Sequence, residues 1–317
     1  MPPWDAGGRP EDLVGHRVAD RYDVVAPLGA GGMGMVFRAH QVGMDRDVAL
    51  KVLAGRLTDR PDAVARFSRE AKAVSRLRHP NTVRLYDFGT TVSGMPFMAM
   101  ELVDGEPLRG LMTREGALPI DQALTLIDQV CASLEEAHAA GIIHRDIKPE
   151  NIMLDRLTGD LTARVLDFGL ARLATGDDRI TQTGEVLGTP VYLAPEQARG
   201  GPTDARTDIY QLGVLLYHLL AGGPPFTAAS AMALLMAHMH APPPPLGDRR
   251  PDAPEGVQVL VARMLAKAPT ERPASVTEVR LAIAAARAAE ALPAKAPPAA
   301  AAETAPLASS SAHPTDA

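Results

Sequence analysis

The feature that most restricts how this chain can fold is a change of hydrophobic texture near residue 104. Before it, "YDVVAPLGA", "GMVFRAHQ", "RDVALKVL", "VRLYDFG" and "PFMAMEL" are short β-prone runs broken by Gly, Pro and Asp, the pattern of strands joined by turns. One segment interrupts them. In "PDAVARFSREAKAVSRLRHP", Val64, Phe67, Ala71, Val74 and Leu77 recur at helical spacing between Pro61 and Pro80. After "ELVDGEPL" the chain turns helical. Ile120, Leu124, Ile127, Cys131, Leu134 and His138 form one apolar stripe with Gly141 as its C-cap, and further helices run to about 287. Short β-like pieces fall at 152–155 and 163–167, and a polar loop rich in Thr and Gly spans about 172–190. The texture therefore predicts two lobes, a small sheet with one helix to about 100 and a helical lobe from about 104 to 287. Residues 1–20 read as a flexible lead, and the Ala/Pro/Ser-rich segment 288–317 as a disordered tail or linker that cannot bury a core.

Several function classes recede on composition. A net charge of −6 over 317 residues argues against a generally basic nucleic-acid binder. A single cysteine, Cys131, excludes an intramolecular disulfide and gives no support to an oxidising compartment. The start lacks the basic and apolar regions of a signal peptide, and no stretch reaches the roughly 18 apolar residues of a membrane span. The nearest, "IYQLGVLLYHLLAG", carries Gln211 and His218 and reads as a core helix. A cytoplasmic protein without a membrane span is the expectation.

Two motifs point to phosphate chemistry. Gly29, Gly31 and Gly34 follow Leu28 in the order G-x-G-x-x-G. That spacing also occurs in dinucleotide-binding folds, but there the glycines open a helix, whereas here "MVFRAHQ" follows and reads as a strand. The result is a glycine-rich hairpin whose backbone N–H groups can lie over phosphates; the plain alternative is an ordinary hairpin turn. "VALK" sets Lys51 among apolar strand residues, and a buried ammonium needs an anionic partner. Glu70, three residues after Phe67 on the helix, is the expected partner, its alternative being a solvated surface residue.

With "HRDIKPEN" (144–151), "LDFGLAR" (166–172) and "GTPVYLAPE" (188–196) added, the chain resembles the eukaryotic-like (Hanks-type) bacterial serine/threonine protein kinases. The motifs stand in that family's order, and the resemblance covers about residues 22–286. It implies an α+β bilobal protein-kinase fold at 21–287, with an N-lobe at 21–100, a hinge at 101–104 and a C-lobe at 105–287. It also implies transfer of the γ-phosphate of ATP to Ser/Thr hydroxyls of proteins. Asp146 then accepts or orients the proton of the attacking hydroxyl, Lys148 offsets charge on the transferred group, and Lys51 with Glu70 holds phosphates. Asn151 and Asp167 hold magnesium, with manganese as a substitute. Met100 is the gatekeeper, the backbones of Glu101 and Val103 meet adenine, and Val36, Ala49 and Met153 sandwich the ring. Val74, Leu85, His144 and Phe168 match the apolar column aligning the lobes, while Glu196, Arg272 and Asp208 match structural supports.

The segment Asp167–Glu196 is the activation loop on this reading. Thr181 and Thr183 match positions that related bacterial kinases autophosphorylate, and Thr189 matches a substrate-positioning threonine. A phosphate there would order the loop against Arg145 and Arg172. Many relatives carry their principal phosphorylated Thr four residues before the "GT" threonine; here Glu185 stands in that place, which predicts some basal activity before phosphorylation. Implied partners are protein substrates and the chain itself, since the small lobe of such kinases often forms back-to-back homodimers. A non-catalytic scaffold is disfavoured because Lys51, Asp146, Asn151 and Asp167 are all present, and a small-molecule kinase because of the activation loop. Cys131 and His138 are expected to pack the core, and "APPPP" (241–245) to form a rigid loop.

Overall fold

The computed structural model describes residues 10–31, 34–53, 61–92, 94–155, 161–168 and 190–291. Six antiparallel strands build the small lobe: β1 (Arg17–Val18), β2 (Tyr22–Gly31), β3 (Gly34–Gln41), β4 (Arg46–Leu53), β5 (Leu85–Thr90) and β6 (Pro96–Glu101), in the order β1-β2-β3-β4-β6-β5. The two-residue period of a strand sorts its side chains. On β4, Val48, Leu50 and Val52 are fully buried with Phe37, Ala39, Phe97 and Tyr22 on the outer face, while Ala49 and Lys51 lie on the face toward the large lobe. Helix α1 (Pro61–Val74) buries Phe67, Ala71 and Val74, with Phe67 edge-on to Phe88 at 6.3 Å.

Residues 10–20, expected to belong to a flexible lead, are instead built into the small lobe. Pro10–Leu13 forms a 3-10 turn, and Leu13 and Val18 are fully buried beside Tyr22 and Phe37. Two apolar side chains in a charged, Gly-containing stretch are too few to produce a periodic signal. The short β1 is held to β2 by Arg17, whose Nε and Nη2 reach the Asp23 carboxylate at 2.6 and 2.8 Å.

The large lobe comprises β7 (Gly105–Pro107), α2 (Leu108–Glu115), α3 (Ile120–Ala139), β8 (Ile152–Asp155), β9 (Thr162–Val165), α4 (Pro195–Ala198), α5 (Ala205–Ala221), α6 (Ala231–His240), α7 (Glu255–Met264) and α8 (Val276–Ala291). Strands β7-β8-β9 make a ribbon, of which the three-residue β7 had no sequence signal. Helix α5 is apolar almost all round and buried along its middle, as its composition requires. At Gly213 a Cβ would come 2.7 Å from the Met264 Cβ, so the missing side chain is what lets α7 approach. Gly141 has φ +74 and directs its N–H to the His138 carbonyl, ending α3 just past the cap at Ala140. Helix α8 runs on to Ala291 rather than stopping at 287.

The loop after α1 is sewn to the large lobe. Asn81 and Val83 bond the backbone of Val165, and Asn81 Nδ2 reaches the Ala163 carbonyl at 2.8 Å. The Glu136 carboxylate on α3 accepts the N–H groups of Arg78 and His79. These contacts anchor the floor on which α1 rests.

Candidate active site

The 144–147 backbone belongs to no helix or strand, so its N–H groups must find partners elsewhere. All four find side chains. His144 N and Arg145 N donate to the two oxygens of Asp208 at 2.9 and 2.7 Å, Asp146 N to His144 Nδ1 at 3.2 Å, and Ile147 N to Gln211 Oε1 at 2.9 Å. Arg145 has φ +64, in the left-handed region that bulky residues avoid, and this scaffold holds it there. His144 spends its other nitrogen on Leu166: Nε2 donates to that carbonyl at 2.7 Å, and the ring lies 4.9 Å from Phe168. Its part is therefore support of the loop. His138 does more than pack the core, because its Nε2 lies 2.8 Å from Asp208 Oδ2; Cys131 is buried as expected, and burial pushes its thiol up.

The loop brings Asp146, Lys148 and Asn151 together. Asp146 Oδ2 accepts from Lys148 Nζ at 2.8 Å and from Asn151 Nδ2 at 3.1 Å, and Asn151 Nδ2 also reaches the Asp146 carbonyl at 2.7 Å. With its amide nitrogen so used, Asn151 offers its side-chain oxygen Oδ1 to a cation. Leu166 N donates to the backbone carbonyl of Asn151 at 2.9 Å, which sets Asp167 beside this group. Asp167 has φ +53, and its Oδ1 is buried with no hydrogen-bond partner among the described residues. Oxygen donors of this kind, one of them an orphaned carboxylate atom, fit a hard divalent cation that completes its shell with water and phosphate oxygens.

Lys51 does not pair with Glu70. Its Nζ lies 2.5 Å from Asp167 Oδ2, both side chains largely shielded from solvent, and Glu70 makes no ion pair among the described residues. The helix explains this. At 3.6 residues per turn Glu70 sits about 60° around the axis from Phe67, outside the arc holding Phe67, Ala71 and Val74. The packing of α1 therefore leaves the carboxylate half-exposed at the margin, while β4 aims Lys51 into the cleft.

Above these groups the sheet presents a continuous apolar face. Val36 is opposite Lys51 across β3 and β4, Ala49 is opposite Met100 across β4 and β6, and residues directly opposite share a face. Gly29 is paired with Val36 and Gly31 with Gly34, so the glycine motif is a hairpin and not the start of a helix. Leu28 is half-exposed at its edge. Gly34 has φ +141, and a Cβ there would lie 2.1 Å from the Val52 carbonyl oxygen, so only glycine fits. Val103 and Met153, both partly buried, lie on the connection after β6 and on β8. The Glu101 side chain turns away to Arg164 on β9, bidentate at 2.9 and 2.6 Å, tying that connection to the ribbon that leads to Asp167. Val74, Leu85 and Phe168 are buried in one core cluster, and His144 packs on Phe168.

The supports read from the sequence are in place. Arg272 is fully buried and donates five hydrogen bonds, two to Glu196 at 2.8 Å each and three to the carbonyls of Ala266, Arg206 and Lys267. Burial works against the Glu196 charge, but the guanidinium outweighs it and holds the carboxyl below its usual range. Sequence reasoning missed Gln197 and missed the role of Gln211, whose one signal was a polar residue in an otherwise apolar helix. Arg145 Nε donates to Thr203 Oγ1 at 3.1 Å. Thr181, Thr183, Glu185, Thr189 and Arg172 lie outside the described residues.

A family model described as the protein kinase domain matches residues 22–282. The chain belongs to the protein kinase family. Serine/threonine-protein kinase pkn3 of Myxococcus xanthus is 45% identical over 271 residues, covering 84% of this chain and 50% of its own length. Serine/threonine-protein kinase PknB of Mycobacterium tuberculosis is 40% identical over 267 residues, covering 83% of this chain and 42% of its own length. Among solved structures, the kinase domain of Mycobacterium tuberculosis PknI superposes with a TM-score of 0.68 at 30% identity, covering 86% of this kinase and 98% of that chain. The kinase thus spans about half the length of the curated relatives it matches. Its family uses ATP and a divalent metal. Among the described residues no helix is long and apolar enough to cross a membrane.

Proposed function

We propose that the kinase transfers the γ-phosphoryl group of ATP to Ser and Thr hydroxyls of proteins. The observation that carries this is the joint arrangement of Asp146, Lys148 and Asn151 on one loop, hydrogen-bonded through Leu166 to the segment bearing Asp167. Phosphoryl transfer asks for positioning and charge neutralisation more than covalent help. Asp146 takes the role of orienting the attacking hydroxyl and accepting its proton, for which Lys148 and Asn151 fix the carboxylate. Lys148 also offsets charge on the transferred group. Asn151 and Asp167 would hold magnesium, or manganese in its place; the bound ion neutralises the phosphates. Lys51, a compact charge on a long stem, holds phosphate oxygens from the roof.

Adenine enters against Val36, Ala49 and Met153 with Met100 behind it, and the backbones of Glu101 and Val103 serve its polar edge. The Glu101 N–H already donates to the Arg84 carbonyl at 2.9 Å, so its carbonyl is the group for this task. Thr181 and Thr183 are the autophosphorylation sites, with a second copy of the chain among the substrates, and Arg145 receives the phosphate. Phosphate transfer from ATP to dephosphorylated casein, present in wild type and lost in Asp146→Asn, tests the proposal. Equal transfer by both would remove Asp146 from its role.

A further inference from the structure

Gln197 and Gln211 together grip the backbone on both sides of Asp146. Gln211 is almost fully buried on α5, three residues after Asp208 and so on the same helix face. Its Oε1 accepts the Ile147 N–H at 2.9 Å, and its Nε2 donates to the Arg145 carbonyl at 3.0 Å and to Gln197 Oε1 at 2.9 Å. Gln197, on α4, donates its own Nε2 to the same Arg145 carbonyl at 2.9 Å and accepts the Ala194 N–H at 3.1 Å. The two amides therefore hold the residue before the base and the residue after it, at a point where Arg145 stands at φ +64. They also tie that strained turn to the segment 194–197, which follows "GTPVYL".

We propose that Gln197 and Gln211 are positioning residues that fix the Asp146 carboxylate in its reactive orientation and couple it to the segment 194–197. This rests on the kinase reading above. Asp208 satisfies the N–H groups of residues 144 and 145 and, besides them, meets the His138 ring, but it does not reach Ile147 N–H or the Arg145 carbonyl. Without the glutamines, the Ile147 N–H loses its bond to Gln211 and the Arg145 carbonyl loses both amide donors, so the peptide units flanking Asp146 are held less tightly. A shift of about 1 Å in a reacting group can cost about 100-fold in rate.

The test uses the full chain with its activation loop in one defined phosphorylation state, assayed with ATP, magnesium and dephosphorylated casein. Gln211→Met keeps the volume and removes all three bonds. Gln197→Glu keeps both bonds that Gln197 accepts and removes only the one it donates to Arg145, on a side chain that reaches partial solvent exposure. Both variants should lose about 10- to 100-fold in kcat with the KM for ATP within about twofold of wild type. The double variant Gln197→Glu/Gln211→Met should lose less than the product of the two single losses, because the pair shares one carbonyl. Thermal unfolding of each variant identifies any that does not fold, and Gln197→Glu then carries the test. Unchanged kcat in Gln197→Glu beside an active wild type overturns the clamp, as does a KM for ATP that rises in step with the fall in kcat. An inactive wild type instead removes the kinase reading, and the clamp with it.

Discussion

Removing Arg272 should cost the large lobe a substantial part of its stability. Arg272→Ala deletes five hydrogen bonds from a guanidinium with no solvent exposure and leaves the Glu196 carboxylate with the Thr207 hydroxyl as its remaining side-chain donor. Breaking a buried ion pair from one side costs about 3–5 kcal/mol, against a total of about 5–15 kcal/mol for a typical domain. At about 2–4 °C per kcal/mol for a chain approaching this size, the melting temperature should fall by at least about 6 °C. Arg272→Lys should fall between, since an ammonium cannot fork onto both carboxylate oxygens. In Glu196→Gln/Arg272→Met no orphan charge remains, so much of the loss should return. The pH dependence has a definite sign. The folded Glu196 carboxyl lies below its unfolded value near 4.5, so its contribution is complete above that pH and fades as pH falls through the folded value. The gap between wild type and Arg272→Ala should therefore narrow below pH 4.5. Urea titration and thermal melts, both followed by far-UV circular dichroism, read these changes. A loss under about 1 kcal/mol for Arg272→Ala at pH 7, or a double variant as unstable as the sum of both singles, would refute the reasoning.

Gly34→Ala should weaken ATP binding about tenfold, because a side chain at φ +141 meets the Val52 carbonyl and displaces the hairpin; an unchanged KM for ATP counts against the placement of that loop. His238 is buried with its Nδ1 on the Tyr210 hydroxyl, and burial, with the Lys267 charge, lowers its pKa from 6.5 to about 4. Its folded form binds fewer protons than the unfolded chain between those values, so stability should fall as pH drops from 6.5 to 4, and His238→Gln should flatten that slope in pH-dependent melts. In the fully dephosphorylated enzyme Glu185→Gln should lower the basal rate of phosphate transfer; an identical rate would mean that Glu185 supplies no charge to Arg145.

What the sequence disclosed and what it withheld divide by the range of the interaction. Strands β2, β3, β4 and β6 fall within a residue or two of the β-prone runs in the sequence, because one buried face imposes a period of two. Asp146, Lys148 and Asn151 were legible together because one short loop carries all three. The partner of Lys51 was not: whether it meets Glu70 or Asp167 depends on the rotation of α1 and on the turn at Asp167, neither of which leaves a periodic mark. Gln211 was visible only as an odd polar residue, and its bonds to Arg145 and Ile147 cross more than 60 positions of the chain. Leu13 and Val18 leave no signal in the sequence, because two apolar residues make no pattern until the sheet supplies their neighbours.

Everything proposed for this site turns on Asp146 and its neighbours transferring phosphate from ATP to protein hydroxyls. Incubating wild type and Asp146→Ala separately with ATP and magnesium, then mapping phosphate by mass spectrometry, tests it most directly. Phosphate is expected on Thr181 or Thr183 in wild type and none in the variant. No phosphate on either protein, even with dephosphorylated casein supplied as acceptor, would contradict it and leave the fold serving as a scaffold.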